Sequence, residues 1–181
     1  MRPYEDNEKA AVEAARCGDV EALAGLYERF YPTLVWVAYS VLLDRSLAED
    51  AAQQAFATAC EKLVSLRSVD RFGPWLTAIC RNAAQDIVRS RQRAAALQKD
   101  AAGEIHAESS HDGFDRTVKE AVDRLPPVYR EVIVLHYYNG MSYKEIESVL
   151  GVSGDKVKGR LARARKQMQS HLEKEGFRRE Q

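Results

Sequence analysis

Outside residues 94–114, the apolar side chains of this chain return every three or four positions. No convincing run alternates with the period of two that a half-buried strand requires. That pattern restricts the chain to an all-α fold. Glu8 to Arg16 begins a first helix, which Gly18-Asp19 breaks and recaps, and Leu23, Leu26, Tyr27 and Phe30 continue the apolar face. Pro32 suits the opening turn of a further helix whose core side is Leu34, Val35, Ala38, Val41 and Leu42. Ser46-Leu47-Ala48-Glu49 has the spacing of a capping box. Ala52, Ala55, Phe56, Ala59 and Leu63 then line a helix of mostly small residues, which permits close packing. After a loop from Ser65 to Pro74, a last helix carries Trp75, Leu76, Ile79, Ala83, Ile87 and Val88 and ends among Arg89, Arg91 and Arg93.

Residues 94–114 are alanine, charge, two histidines and Ser109-Ser110-His111-Asp112-Gly113, with little apolar order, and read as a linker. A second unit follows. Val118 to Leu125 leads into Pro126-Pro127, which starts a helix running to Tyr138 and stopped by Asn139-Gly140. The expectation is two small helical domains on a flexible linker: residues 1–93, a linker over 94–116, residues 117–172, and a tail over 173–181. No internal repeat is visible.

The most specific chemistry lies in the second unit. Ser142 and Glu145 have capping-box spacing, Gly151-Val152-Ser153 makes a corner, and Val157, Leu161, Ala164 and Met168 form an apolar stripe at helical spacing. Lys156, Lys158, Arg160, Arg163, Arg165 and Lys166 fall between those positions, opposed only by Asp155. A helix dry on one side and cationic on the other suits DNA, because phosphate binding needs positive charge and groove entry needs an exposed helix. Ser153 is placed to cap that helix, and Gly154 to leave its N-terminus open to a phosphate. In the first unit, Leu66, Arg67, Phe72, Arg71, Trp75, Arg81, Asn82 and Arg89 cluster around the loop. Aromatic rings beside cations can hold unstacked bases, although spacing alone makes Trp75 a core residue.

Charge bears on the same point. Lys plus Arg and Asp plus Glu both total 27, so a nucleic-acid protein of this composition must segregate its charges. Basic residues gather in 81–93 and 153–168, and acidic ones between Lys99 and Glu120. The three cysteines Cys17, Cys60 and Cys80 are far apart among apolar neighbours, without zinc spacing, and read as buried free thiols. His106, His111, His136 and His171 are scattered, so no metal and no cofactor is expected. With no nucleophile–base arrangement and no glycine-rich phosphate loop, the chain does not read as an enzyme. A polar, acidic first segment and no apolar run long enough to span a bilayer point to a cytoplasmic protein.

Several ordered stretches resemble the small two-domain, extracytoplasmic-function (ECF) class of RNA polymerase sigma factors, in the sigma-70 family. Ala48-Glu49-Asp50-Ala51-Ala52-Gln53-Gln54-Ala55-Phe56 is similar to the stretch that clasps the clamp coiled coil of the polymerase β′ subunit. Phe72-Gly73-Pro74-Trp75-Leu76-Thr77-Ala78-Ile79-Cys80-Arg81-Asn82 resembles the stretch that melts and reads the −10 element. Leu125-Pro126-Pro127-Val128-Tyr129-Arg130-Glu131-Val132, and Tyr143-Lys144-Glu145-Ile146 through Arg165, resemble the −35 reading domain. The likeness spans roughly Ala22 to Arg93 and Val118 to Met168.

The resemblance implies a sigma region 2 bundle, a sigma region 4 helix-turn-helix, and contacts assigned by position. Asp50, Gln53 and Phe56 fall on the core polymerase motif. Leu66, Arg67, Arg71, Ile79, Arg81 and Asn82 fall on the −10 set, whose loop and helix together receive a base flipped from the non-template strand. Ser153, Lys156, Lys158, Arg160, Arg163 and Arg165 fall on the −35 set, which contacts duplex promoter DNA. An anti-sigma factor is a further implied partner, held between the two domains. Gln54 stands where the family usually has an acid, Gly159 where it commonly has a small hydroxyl residue, and Ala162 where a larger ring is common. The alternative left open by the residues is a stand-alone helix-turn-helix regulator with an N-terminal helical dimerisation domain, which would bind a symmetric duplex site unaided.

Overall fold

The computed structural model describes residues 5–97 and 116–175, and among these it contains helices and turns but no strand. The N-terminal lobe is built from α1 (Glu5–Arg16), α2 (Val20–Leu42), α3 (Arg45–Lys62) and α4 (Phe72–Leu97). Two single turns of 3₁₀ helix, Leu63–Ser65 and Val69–Arg71, bridge α3 to α4. The C-terminal lobe comprises α5 (Arg116–Asp123), α6 (Pro127–Ile133), α7 (Tyr143–Leu150) and α8 (Gly154–Lys174). Between α6 and α7 the helix widens into a π turn over Val134–Tyr138.

The break at Gly18-Asp19 is as expected: Gly18 has φ 92°, and the Asp19 carboxylate accepts the N–H of Ala22 at 3.0 Å. Two expectations fail beside it. Pro32 opens no helix, because α2 runs through it without interruption. The nine buried residues of α2, from Leu26 to Leu42, supply packing on both sides of the proline that outweighs one missing backbone hydrogen bond. Nor does Ser46 cap α3. The N-cap is Asp44, whose carboxylate accepts the N–H of Leu47 at 3.1 Å. A carboxylate two residues upstream reaches the first turn before the serine does.

The alanines of α3 explain how the lobe closes. Ala48, Ala51, Ala52, Ala55 and Ala59 are all at most 2% exposed, so α3 approaches α2 and α4 at backbone range. Phe56 meets Tyr27 edge-on at 5.0 Å, Phe30 meets Phe72 at 5.2 Å, and Leu76, Cys80 and Ala84 seal α4 against the core. In the C-terminal lobe Leu125, Val132, Leu135 and Ile146 pack on Val157, Leu161 and Ala164 of α8. The lobes also touch: α2 lies against α6 and the π turn, and α4 lies against α7.

Candidate nucleic-acid and partner-protein interfaces

The corner between α7 and α8 is fixed at both ends. Ser142 Oγ accepts the Glu145 N–H at 3.3 Å while Glu145 Oε2 accepts the Ser142 N–H at 2.7 Å, a complete capping box. Gly151 ends α7 at φ 64°, a conformation that favours glycine. Ser153 then has N-cap backbone angles but its side chain makes no capping hydrogen bond, contrary to expectation. Gly154 is not open either. A Cβ built there would stand 3.0 Å from Glu147 Oε1, so a carboxylate from α7 already lies over the first turn of α8 and gives it the negative charge its dipole favours.

Along α8, Val157, Leu161 and Ala164 are fully buried. Helical spacing sets Lys156, Arg160 and Arg163 on one flank of that stripe and Lys158 and Arg165 on the other. Lys156, Lys158 and Arg163 are exposed, and Arg160 is half-buried. Arg165 is engaged within the lobe: Nη2 donates to Tyr143 Oη at 3.4 Å and the guanidinium lies 5.9 Å from the centre of the Tyr137 ring. The space around Gly159 is open.

On α3, Asp50 and Gln53 are exposed side by side, one turn apart. Phe56, placed with them by sequence, is 6% exposed and packs in the core. It follows Ala48 and Ala52 on the face turned to Tyr27, so it positions the helix and offers no surface of its own.

The candidate −10 residues divide into three groups where the resemblance implies one pocket. Leu66, Arg67 and Arg71 line a groove of about 370 Å³ with Trp75 and Ala78, Leu66 being buried and both arginines exposed. Ile79 and Asn82 lie one turn farther along α4 and line a different groove, about 660 Å³, shared with Asp50 and Gln54 of α3. Arg81 points away from both. Its Nε donates to Glu131 Oε2 of α6 at 2.6 Å, in an ion pair whose side chains are 17% and 12% exposed. The reason is helical phase: α4 turns Ile79 and Asn82 toward α3, and Arg81 toward the C-terminal lobe.

Comparison with known proteins fits these parts together. The family description "Sigma-70 region 2" matches residues 26–94, and "Sigma-70, region 4" matches residues 115–168. RNA polymerase sigma factor CarQ of Myxococcus xanthus is 30% identical over 146 residues, covering 78% of this chain and 84% of that protein. The chain belongs to the sigma-70 family of RNA polymerase sigma factors, in its ECF group. ECF RNA polymerase sigma factor SigW of Bacillus subtilis is 27% identical over 179 residues, covering 91% of this chain and 96% of its relative. The probable RNA polymerase sigma factor RfaY of Xanthomonas campestris pv. campestris is 29% identical over 168 residues, and the chain spans only 42% of its length. Among solved structures, CnrH in complex with the cytosolic domain of CnrY matches with a TM-score of 0.68 at 30% identity, over 92% of this chain and 97% of CnrH's. Sigma factor RpoE from Bartonella quintana, in complex with the anti-sigma factor NepR, matches with a TM-score of 0.74 at 25% identity, over 85% and 98%.

In this sigma factor α2, α3 and α4 therefore carry region 2, and the C-terminal lobe carries region 4. Sequence reasoning missed a cavity of about 590 Å³ between the regions, walled by Trp36 of α2, Val122 of α5, Ile133 and Tyr138, and Met168 and Leu172 of α8. The Val118–Val122 spacing and the adjacent Tyr137-Tyr138 were its only sequence signals. Beside it, Lys119 Nζ donates to Tyr39 Oη at 2.7 Å and to Asp123 Oδ2 at 2.9 Å. Burial alone would lower the Lys119 pKa, but those two hydrogen bonds and the Asp123 charge hold it above its ordinary value. Tyr39 is raised by burial. Among the described residues, no helix is long and apolar enough to cross a membrane, and no cluster of three or more His, Cys, Asp or Glu is placed to hold a metal ion.

Proposed function

We propose that this chain binds core RNA polymerase and directs it to promoters by reading a −10 and a −35 element, aiding strand opening at the first. The observation that carries the reading is α8: a helix locked by a capped corner, buried along Val157, Leu161 and Ala164, and presenting Lys156, Lys158 and Arg163 to solvent. In a helix-turn-helix that second helix enters the major groove, where arginine pairs with two acceptors of guanine. Ser153, at the N-cap with its hydroxyl uncommitted to a capping bond, and the half-buried Arg160 complete the −35 surface.

Asp50 and Gln53 take the contact with the β′ clamp coiled coil, and Phe56 supports them from beneath. The −10 strand runs over α4. Extruding a base costs a few kcal/mol of stacking, which the grooves at Leu66–Trp75 and Ile79–Asn82 offset with apolar walls and the edge hydrogen bonds of Asn82. Residues 1–93 act as the polymerase and −10 unit, 117–172 as the −35 unit, and 94–116 as the tether, all in the cytoplasm. The apolar inter-region cavity suits an apolar helix of an anti-sigma factor, the class of partner seen with RpoE of Bartonella quintana.

Transcription in vitro with core polymerase and this chain tests the reading directly. Start-site selection is expected to appear on adding the chain, and charge reversal of Lys158 with Arg160 is expected to abolish it while core binding persists. Tight, symmetric binding to duplex DNA by the chain alone, with no selection of start sites, would overturn it.

A further inference from the structure

The loop that carries Arg67 and Arg71 is held from two sides. Its inner side is apolar: Leu66 and Phe72 are buried, and the half-buried Val69 packs against the same core. On its outer side α1 packs against the 3₁₀ turn Val69–Arg71. There Lys9 Nζ lies 2.7 Å from Asp70 Oδ1, in a pair whose side chains are 46% and 58% exposed. One residue back on α1, Glu8 Oε2 accepts from Arg29 Nη2 of α2 at 2.8 Å, and Glu8 Oε1 lies 4.0 Å from where a Cβ on Gly73 would stand. Glu8, Lys9, Val69, Asp70, Gly73 and Pro74 thus share one seam, a groove of about 250 Å³. All of α1 precedes residue 26, where the match to region 2 begins.

Asp70 is the single acidic residue between Glu61 and Asp86, and it falls between two exposed arginines. A bare carboxylate there repels a phosphate and cancels part of the attraction that Arg67 and Arg71 supply. An ammonium at ion-pair distance removes most of that field, because a close pair of opposite charges acts on a third, more distant charge only as a dipole. The fold itself needs little from the pair. Exposed ion pairs contribute little to stability, and α1 is already anchored by the buried Val12 and Ala15. Its position therefore matters more for the potential over the loop than for folding.

We propose that Lys9 is a positioning residue for the −10 strand: by pairing with Asp70 it masks the one carboxylate of the loop and leaves Arg67 and Arg71 as the charges the strand meets. This rests on reading Arg67 and Arg71 as part of the −10 surface. Lys9 acts through Asp70, so the first helix tunes strand binding without touching the strand. Removing Lys9 exposes the carboxylate to the phosphates, or frees it to take one of the two arginines from them. Both consequences weaken binding, and both vanish when Asp70 loses its charge.

The test uses core polymerase loaded with the full-length chain and reads the anisotropy of a fluorescent single-stranded oligonucleotide of mixed sequence, with core polymerase alone as background. Lys9→Ala is expected to weaken strand binding about two- to fivefold, the size of one exposed ion pair. Lys9→Arg, which keeps the pair, is expected to bind as wild type does. In the Asp70→Asn background Lys9→Ala is expected to cost nothing further. The loss in Lys9→Ala is also expected to shrink as ionic strength rises, which a distorted loop would not show. Unchanged binding in Lys9→Ala overturns the proposal. So does an equal loss with and without the Asp70 carboxylate, which would make Lys9 a direct phosphate contact. Arg67→Ala combined with Arg71→Ala separates these failures from failure of the underlying reading. If that variant leaves strand binding unchanged, the loop lies outside the −10 surface and the proposal falls with it. If it weakens binding while Lys9→Ala does not, the role of Lys9 alone is overturned.

Discussion

The carboxylate of Glu147 stands against the first residue of α8, 3.0 Å from where a Cβ on Gly154 would lie. The N-terminus of a helix attracts anions, and in a helix-turn-helix it is also where a DNA phosphate approaches. Glu147 therefore stabilises α8 and repels its target at once. Glu147→Gln is expected to lower the stability of the C-terminal lobe by about 0.3–1 kcal/mol, through loss of the dipole interaction. The same change is expected to tighten binding to a −35 duplex by about two- to fivefold, the equivalent of that energy. Urea melts and fluorescence anisotropy read the two effects, and a change of the same sign in both removes the argument.

The two flanks of α8 are expected to respond differently to truncation. Arg163 and Arg165 are both exposed, but Arg165 also reaches the Tyr143 hydroxyl and the Tyr137 ring. Arg163→Ala should leave the melting temperature unchanged and reduce the salt dependence of duplex binding by about 0.9 in the log–log slope, if it meets a phosphate. Arg165→Ala should in addition destabilise the lobe by about 0.5–1 kcal/mol through the lost contact with the tyrosine ring. Titrations at several salt concentrations, with parallel denaturation curves, make the comparison. Equal stability losses in the two variants would show that Tyr137 and Tyr143 do not hold Arg165.

What the sequence made legible is what local physics dictates. The stripe Val157–Leu161–Ala164, the Ser142–Glu145 capping box and the breaks at Gly18 and Gly151 depend on residues a turn or less apart, and each stands in the structure. Ser46 and Pro32 were misread because a stronger cap at Asp44 and the buried length of α2 override the local signal. The burial of Phe56 was not legible because a motif position says which helix carries a residue but not which way it faces. Long-range pairing was invisible. Nothing near Arg81 in sequence announces Glu131, and nothing near Gly154 singles out Glu147 as the group above it.

The placement of Phe56 is open to direct measurement. A core aromatic truncated to alanine costs about 3–5 kcal/mol, whereas an exposed polar side chain costs within about 0.5 kcal/mol. Phe56→Ala is thus expected to destabilise the N-terminal lobe severely, and Gln53→Ala to leave its unfolding curve in place while weakening capture of core polymerase. Denaturation followed by circular dichroism, with core binding by co-elution, distinguishes them. A Phe56→Ala variant that keeps its stability and loses only polymerase binding would put the ring at the interface after all.

Alkaline pH supplies a test of the packing around α4. Burial pushes the Cys80 thiol up from 9.0 to about 12, and the thiol also donates to the Leu34 carbonyl at 3.3 Å. Between those values the folded chain keeps a proton that the unfolded chain has released. The stability contribution is complete below about pH 9 and is lost as pH rises toward 12, by about 1.4 kcal/mol per pH unit. Tyr39 and Lys119, whose pKa values are also raised, weaken the fold in the same direction. Their contribution is common to wild type and Cys80→Ala, so the difference between the two isolates the thiol. Between about pH 8 and about pH 10.5 wild type is expected to lose about 2 kcal/mol more than Cys80→Ala, read from urea midpoints at each pH. Parallel losses in the two proteins would mean that Cys80 ionises in place, in contact with water that the packing of α2 against α4 is meant to exclude.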